Sequence, residues 1–449
     1  MAKQSSLLHD AVIVGAGPAG LLVYEQLTAA GFNTVLLEAG TRVAGKIAPV
    51  SDPAVWTYRS HRRDALEWLR THAVGGRTVG WGGLCFRFPD VVFEKGGWPY
   101  GARTLAPYYR TAEAWLGVVE GRLHEQHRRV ARRLGRPIMP LRGARREGNA
   151  RREGKVWIAG HAAGARAARV KHVACAIACN GGRAVAVHVR RRDGEDHWMR
   201  ARSFVLAAGP IESARLLLAS GLDRAVPRLG RGLVRHPTVS YMLVEPYPAP
   251  AAINPHDLLD GALVPFAEHG YAVEIVGPLP MAEAMHGELK ERGVSGSVAA
   301  NMRVTHVNAM TETEPNGASS VTLSRTDVDA LGRAVPVIRL ATTRKDRESI
   351  ARMKASCVAI AEAIAQPGAE LLLIEEPAPN RYLFHEAGTC VMGVGAEAPC
   401  TPWGRLRAVD NVWIADASVF PSAGDRHPTL TVLAHALRVA RDMQQRLPR

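Results

Sequence analysis

Residues 11–38 read AVIVGAGPAGLLVYEQLTAAGFNTVLLE, and this stretch limits the fold more than any other. An unbroken apolar run, a glycine-rich turn, a helical pattern and a second apolar run together make a βαβ unit. Gly15, Gly17 and Gly20 have the spacing G-x-G-x-x-G. The first glycine permits a tight turn, the second lets backbone approach a pyrophosphate, and the third lets the helix close on the strand. The helix start offers free N–H groups and partial positive charge to phosphates. Glu38 ends the second strand, where a carboxylate accepts hydrogen bonds from ribose hydroxyls and repels a 2′-phosphate. Dinucleotide binding is therefore expected; the competing reading is a turn whose glycines serve packing alone.

Further strands of the same buried type are RSFVLAAG (202–209), followed by the helix IESARLLLAS, and NVWIADAS (411–418). Apolar runs without alternation imply a sheet covered on both faces. The middle of the chain differs. Residues 238–246, 271–277, 296–308 and 319–325 read as strands between Pro, Gly and Asn turns, and 344–366 as one long amphipathic helix. That order implies an antiparallel sheet with helices on one side. The fold class expected is α/β: a Rossmann-like dinucleotide-binding domain from 1–235 and 385–449, and a second, α+β domain from 236–384 on a mostly antiparallel sheet.

At 449 residues the chain is too long for one simple core. The formal charge of +15 comes mainly from arginine. No basic stretch is interleaved with aromatics, so the charge reads as a solvated surface with no nucleic-acid partner. Segment 121–155 is the densest basic stretch, and a basic loop or lid is expected over 121–165. Cys85, Cys175, Cys179, Cys357, Cys390 and Cys400 form no C-x-x-C pair and read as reduced thiols without a metal site. The start MAKQSSLLHD has no signal-peptide pattern, and no run approaches ~20 apolar residues, so a cytoplasmic protein without a membrane span is expected.

Two features near the end carry chemistry. Asp416 closes the strand NVWIADAS, where a carboxylate meets a ribityl chain or pyrophosphate, or else caps a turn. His427 stands in SAGDRHPTLTVLAHALRVA at the mouth of a helix. Pro428 suits the first helical turn, where its missing N–H costs nothing.

These blocks resemble the glucose–methanol–choline (GMC) oxidoreductases, FAD enzymes that oxidise alcohols. GAGPAG with LLEAG, GGRTVGWGG (75–83), GWPYGARTLAPYYRTAEAWLGV, VLAAGPIESARLLLASG (205–221), LGRGLVRHP (229–237), FHEAGTCVMG (384–393) and the C-terminal stretch follow in the family's order. Residues 238–380 match only weakly. The resemblance implies FAD held by Gly15, Gly17, Pro18, Ala19, Gly20, Glu38, Ala39, Gly80, Trp81, Val173, Ala208, Gly209, Asp416, Ala417, His427, Pro428 and Thr429. It implies a catalytic pair, His385 as general base and His427 as partner, or the two with roles exchanged, with hydride passing from carbon to flavin N5. The helix opened by Thr429 would face the flavin pyrimidine ring.

Family members with covalent flavin carry histidine where Gly80 stands here, so non-covalent FAD is expected. Asp425 and Arg426 replace small or apolar residues; they shift the pKa of His427, contact substrate, or pair with each other. The short substrate region suggests an open pocket for a sugar, a glycoside or a natural-product alcohol, with oxygen or an external carrier as electron acceptor. The alternatives are a non-redox lyase on the same scaffold, a NAD-binding dehydrogenase, or a nucleotide-binding protein without catalysis.

Overall fold

The computed structural model describes residues 8–42, 71–79, 81–144, 164–226, 228–246, 259–280, 302–375 and 384–448, with strand pieces at 3–4, 59–60, 150–152 and 155–157. Gly80 and residues 296–301 of one expected strand lie outside them. Three large sheets organise the described residues.

The first sheet holds the sequence's unbroken apolar runs. His9–Val14 pairs in parallel with Thr34–Leu37 on one side and with Asp196–Leu206 on the other, and Val412–Ile414 joins Asp196–Leu206 in parallel. Ala11, Val12 and Ile13 are fully buried, as a sheet covered on both faces requires. The helix Pro18–Ala29 follows the glycine turn. An added Cβ on Gly20 would lie 1.9 Å from the Gly15 carbonyl oxygen, so only glycine lets helix and turn close. Antiparallel strands His172–Asn180 and Arg183–Arg191 extend this sheet.

The second sheet pairs strands from distant segments: Phe384–Thr389, Arg231–His236, Ser320–Val328, Ala334–Arg339 and Arg59–Ser60. Its register sets His236 opposite Phe384, which brings His236 beside His385.

The third sheet is antiparallel, in the order Glu370–Glu375, Thr238–Pro246, Met302–Thr311, Tyr271–Pro280, Gly261–Phe266, Met139–Pro140. One face buries Val239, Leu243, Val273, Ile275 and Val307 against Met353, Cys357 and Ile360 of the helix Arg344–Ile364. Thr343 caps that helix, its hydroxyl accepting from the Asp346 N–H at 3.1 Å. The architecture is the α/β class read from the sequence, a Rossmann-like unit with mostly antiparallel sheets around it.

One expectation needs correction. The basic stretch at 121–155 is not simply a loop, because residues Glu125–Leu134 form a helix. Val130 and His127 are fully buried, and Arg133 donates to the carbonyls of Glu362 and Ala363 at the end of the long helix. Arg128 and Arg132 are exposed while Gln126, His127 and Val130 are buried, so composition hides a helix with one anchored face. Among the described residues no helix is long and apolar enough to cross a membrane.

Candidate active site

A cleft opens where the parallel strands end at the N-terminus of Pro18–Ala29. Gly15, Gly17, Pro18 and Ala19 line one side, Glu38 and Ala39 another. Val173, Ala208, Gly209, Asp416, Ala417, Pro428 and Thr429 also line it, as does His385. The helix start has no side-chain cap, and an added Cβ on Gly17 would meet nothing within 4 Å. Free N–H groups therefore face open space, a cradle a phosphate fills. The Glu38 carboxylate accepts from the Ala16 N–H at 3.0 Å and the Gly40 N–H at 2.8 Å, which fixes it at the rim with lone pairs to spare. Burial pushes its pKa up, and the N–H bonds from Gly40 and Ala16 oppose that. The residues present thus fit a dinucleotide.

Two assigned residues act differently. Gly20 packs the helix on the turn and takes no part in the lining. Asp416 Oδ2 accepts from the Gly209 N–H at 2.9 Å and the Ser213 hydroxyl at 2.6 Å, while Oδ1 accepts from the Ser418 N–H at 2.9 Å. It is a turn cap as well as part of the cleft wall. Trp81 is half-buried, and its indole N–H has no partner among the described residues.

Beside the cleft lie three imidazoles in a row. His385 Nε2 is 3.2 Å from His427 Nδ1, and His385 Nδ1 is 3.0 Å from His236 Nδ1. His236 Nε2 lies 3.1 and 3.0 Å from the carbonyl oxygens of Ala423 and Gly424. The partners assign the protons. Carbonyls only accept, so His236 carries its proton on Nε2. Burial pushes the pKa of His236 down to about 4, so it is neutral and its Nδ1 is bare. His385 must then donate from Nδ1. Burial, with the neighbouring His427, His236 and Arg77, holds its pKa well below the usual imidazole range. Its Nε2 is therefore a bare lone pair, and His427 presents Nδ1–H to it.

Local backbone supports this placement. His385 has φ 56°, a left-handed conformation that costs a non-glycine residue of order 1–3 kcal/mol. The neighbouring Glu386 is held by Arg77 through two bonds of 2.5 and 2.7 Å, which ties the flank of the site to the turn Gly76–Val79. The Phe86 ring stacks near His427 with centroids 6.4 Å apart. Of the options for Asp425 and Arg426, the pairing is what forms, two bonds of 2.7 Å in a buried setting.

The sequence thus named His385 and His427, which the fold brings together. It did not assign roles to His236, Arg77, Glu386 or Glu274, the last with Oε1 2.9 Å from His427 Nε2. The first three stand inside quoted blocks, LGRGLVRHP, GGRTVGWGG and FHEAGTCVMG, where their residue types were a usable signal. Glu274 stands in an ordinary strand pattern and gave none.

Comparison with known proteins gives the family. Two models of the family described as GMC oxidoreductase match, one over residues 161–238 and the other over 315–436. The chain belongs to the GMC oxidoreductase family. It is an alcohol oxidoreductase of the GMC type, and residues 13–65 match an NAD(P)-binding Rossmann-like domain. Among curated relatives of this GMC protein, the "6'''-hydroxyparomomycin C oxidase" of Streptomyces lividus is 26% identical, over 98% of this chain and 92% of its own. The "Paromamine 6'-oxidase" of Streptomyces fradiae is also 26% identical, with the same coverage of each chain. A "C-glycoside 3-oxidase" of Arthrobacter globiformis is 27% identical over 59% of this chain and 51% of its own. The solved pyridoxine 4-oxidase from "Mesorbium loti" shares the fold, with TM-score 0.62 at 20% identity over 97% of this chain and 99% of that one.

Proposed function

We propose that this protein oxidises a CH–OH group of a sugar-like alcohol to a carbonyl, with non-covalently bound FAD in the cleft and His385 as general base. The observation that carries the reading is the bare Nε2 of His385, 3.2 Å from His427 Nδ1, on a residue that also lines the dinucleotide cleft. An alcohol proton leaves only if a base takes it as hydride departs. His385 Nε2 takes that proton, and the His427 Nδ1–H turns to the hydroxyl oxygen and holds it. His236 keeps the His385 lone pair on Nε2 rather than Nδ1. Bound FAD would supply the hydride acceptor at flavin N5. Strands from 236–384 form the substrate side in this reading, with 1–235 and 385–449 the cofactor side. The printed names of the relatives, paromamine and C-glycoside oxidases among them, support a carbohydrate-like alcohol. Six free thiols suit a cytoplasmic setting.

The test begins with purified protein. It should be yellow and release intact FAD on acid precipitation, since Gly80 offers no histidyl link. Anaerobic mixing with alcohols and sugars should bleach the visible flavin band. Bound NAD without flavin, or flavin that no alcohol bleaches, refutes the reading.

A further inference from the structure

His236 sets the tautomer of His385, and the bond that orients His236 is itself held from outside the row of imidazoles. His236 Nε2 donates to the carbonyls of Ala423 and Gly424. One side of that bond stands on the strand Arg231–His236 and the other lies 187 residues further along the chain, so each needs an anchor. Glu312 and Thr313, which directly follow the strand Met302–Thr311, supply both. The Thr313 N–H donates to the Arg235 carbonyl at 2.8 Å, and the Thr313 hydroxyl accepts from the Arg235 N–H at 3.1 Å. Arg235 precedes His236, so these two bonds fix the strand at the histidine. Glu312 holds the other side. Its Oε1 accepts from the Ser422 hydroxyl at 2.8 Å and its Oε2 from the Ala423 N–H at 2.7 Å. The Gly424 N–H in turn donates to Ser422 Oγ at 3.1 Å. Ser422 and Ala423 are buried, so water does not stand in for these bonds.

From these observations we infer that Glu312 is a positioning residue of the active site: through Ser422 and Ala423 it holds the carbonyls that orient His236, and through His236 it keeps the lone pair of His385 on Nε2. The inference rests on the reading of His385 as base and adds a remote member to that site. Glu312 itself touches neither substrate nor cofactor. It lines a cavity of about 890 Å³ that none of the three imidazoles lines, and it has no place in the dinucleotide cleft.

The carboxyl holds the segment in either protonation state. Burial pushes its pKa up to about 7, against the bonds from Ser422, Ala423 and Gly424, and nearby Asp425 adds to the rise. Ionised, Glu312 accepts both bonds. Protonated on Oε1, it donates to Ser422 Oγ and still accepts the Ala423 N–H on Oε2. A glutamine reproduces the second pattern, its amide N–H donating to Ser422 and its carbonyl accepting from Ala423. An alanine reproduces neither and leaves the Ala423 N–H and the Ser422 hydroxyl without this partner, so the carbonyls of 423 and 424 lose their fixed aim at His236.

The experiment compares FAD-loaded wild type with Glu312→Ala, Glu312→Gln, His236→Leu and the double variant Glu312→Ala/His236→Leu. Anaerobic flavin bleaching by paromamine or glucose is followed across pH, and ¹⁵N-histidine NMR reads the ring tautomers without turnover, His236→Leu serving to assign the His236 signals. Glu312→Ala should slow reduction by about 10- to 100-fold, the worth of buried donors left without acceptors. It should move the acid limb of the rate in the same direction as His236→Leu does, and turn the single Nε2–H form of His236 into a mixture of tautomers. Glu312→Gln should restore rate, limb and tautomer together. The double variant should be no slower than His236→Leu alone, because Glu312 acts only through that ring. An acid limb that stays in place in Glu312→Ala overturns the inference, since a merely structural loss lowers the rate in that way. So do losses that add in the double variant. Where Glu312→Ala fails to fold, Ser422→Ala removes one arm of the same hold and should give the same shifts at smaller size; unchanged shifts there overturn the inference too. The two readings fail separately. A wild-type reduction rate in His385→Ala refutes the base, whereas a His236 tautomer unchanged in Glu312→Ala refutes the role of Glu312.

Discussion

His385 is the residue on which the chemistry turns, and its surroundings make its behaviour specific. His385→Ala should leave flavin bound and slow flavin reduction by ~10²–10⁴-fold, the usual worth of a positioned base. His427→Asn should cost less than His427→Ala, because an amide N–H still holds the hydroxyl oxygen; stopped-flow bleaching compares them. The pH dependence follows from the same site. Burial and its neighbours hold the His385 pKa well below the usual range, so the base stays unprotonated near pH 6.5, where a free imidazole is half-protonated. Only the protonated ring is inactive. The rate should therefore be flat through neutrality and fall only in more acid solution, with an apparent pKa that belongs to the coupled rings. A rate that halves near pH 6.5 would place the base elsewhere. His236→Leu removes the acceptor that pins the His385 tautomer; it should slow reduction and move this acid limb, whereas a merely structural role would leave the limb in place. At this scale the sequence exposed the two histidines through their blocks. It hid Glu274, because a lone acid in an alternating strand looks like a surface position until the sheet's buried face is known.

At the scale of elements, the glycine turn was the most legible part, since its geometry is local. Its second and third glycines make separable predictions. Gly17 has φ −68°, and an added Cβ meets nothing within 4 Å, so Gly17→Ala should leave apoprotein stability unchanged while its methyl occupies the phosphate cradle and weakens FAD binding. Gly20→Ala sets a methyl 1.9 Å from the Gly15 carbonyl oxygen and should destabilise the fold itself, by about 1–3 kcal/mol or more. Apoprotein unfolding in urea and FAD titration separate the two; equal effects on both measurements would mean the glycines share one role. The hairpin His172–Asn180 and Arg183–Arg191 went unread although its signal was present. Asn180 leads into Gly181 and Gly182, whose φ values of 54° and 76° are those of a tight hairpin turn. Its second strand, RAVAVHVRR, buries Ala184, Ala186, Val187 and Val189 and leaves Arg183 and Val185 exposed.

Across the whole molecule, the parts the sequence could not show are those joined over long chain separations. The turn between strands Ser320–Val328 and Ala334–Arg339 reaches the helix Pro210–Ala219 through Asp329. This fully buried carboxylate accepts from Arg215 Nη2 at 2.8 Å and Arg333 Nε at 2.9 Å, and from the N–H groups of Leu331 and Arg333 at 2.9 and 3.0 Å. Arg333 also lines the dinucleotide cleft. No local pattern announces such a knot, because its members are 114 residues apart and each alone reads as a surface charge. Its removal has a clear sign. Asp329→Ala removes the nearer of two anions that these guanidinium groups, 3% and 8% exposed, share, and leaves Glu212, 3.5 Å from Arg215 and 3.7 Å from Arg333. Breaking a buried pair costs about 3–5 kcal/mol where the charge left behind is uncompensated, and Glu212 reduces that cost here. Urea unfolding of the apoprotein should show that loss, and FAD occupancy should fall as Arg333 shifts. The triple variant Asp329→Ala/Arg215→Met/Arg333→Met discriminates the cause. If stranded charge is the penalty, removing both arginines recovers part of the stability that Asp329→Ala lost. If the triple variant, with Glu212→Gln added so that no acid is stranded, is weaker still, the knot stabilises through its hydrogen bonds and packing, and the electrostatic account fails.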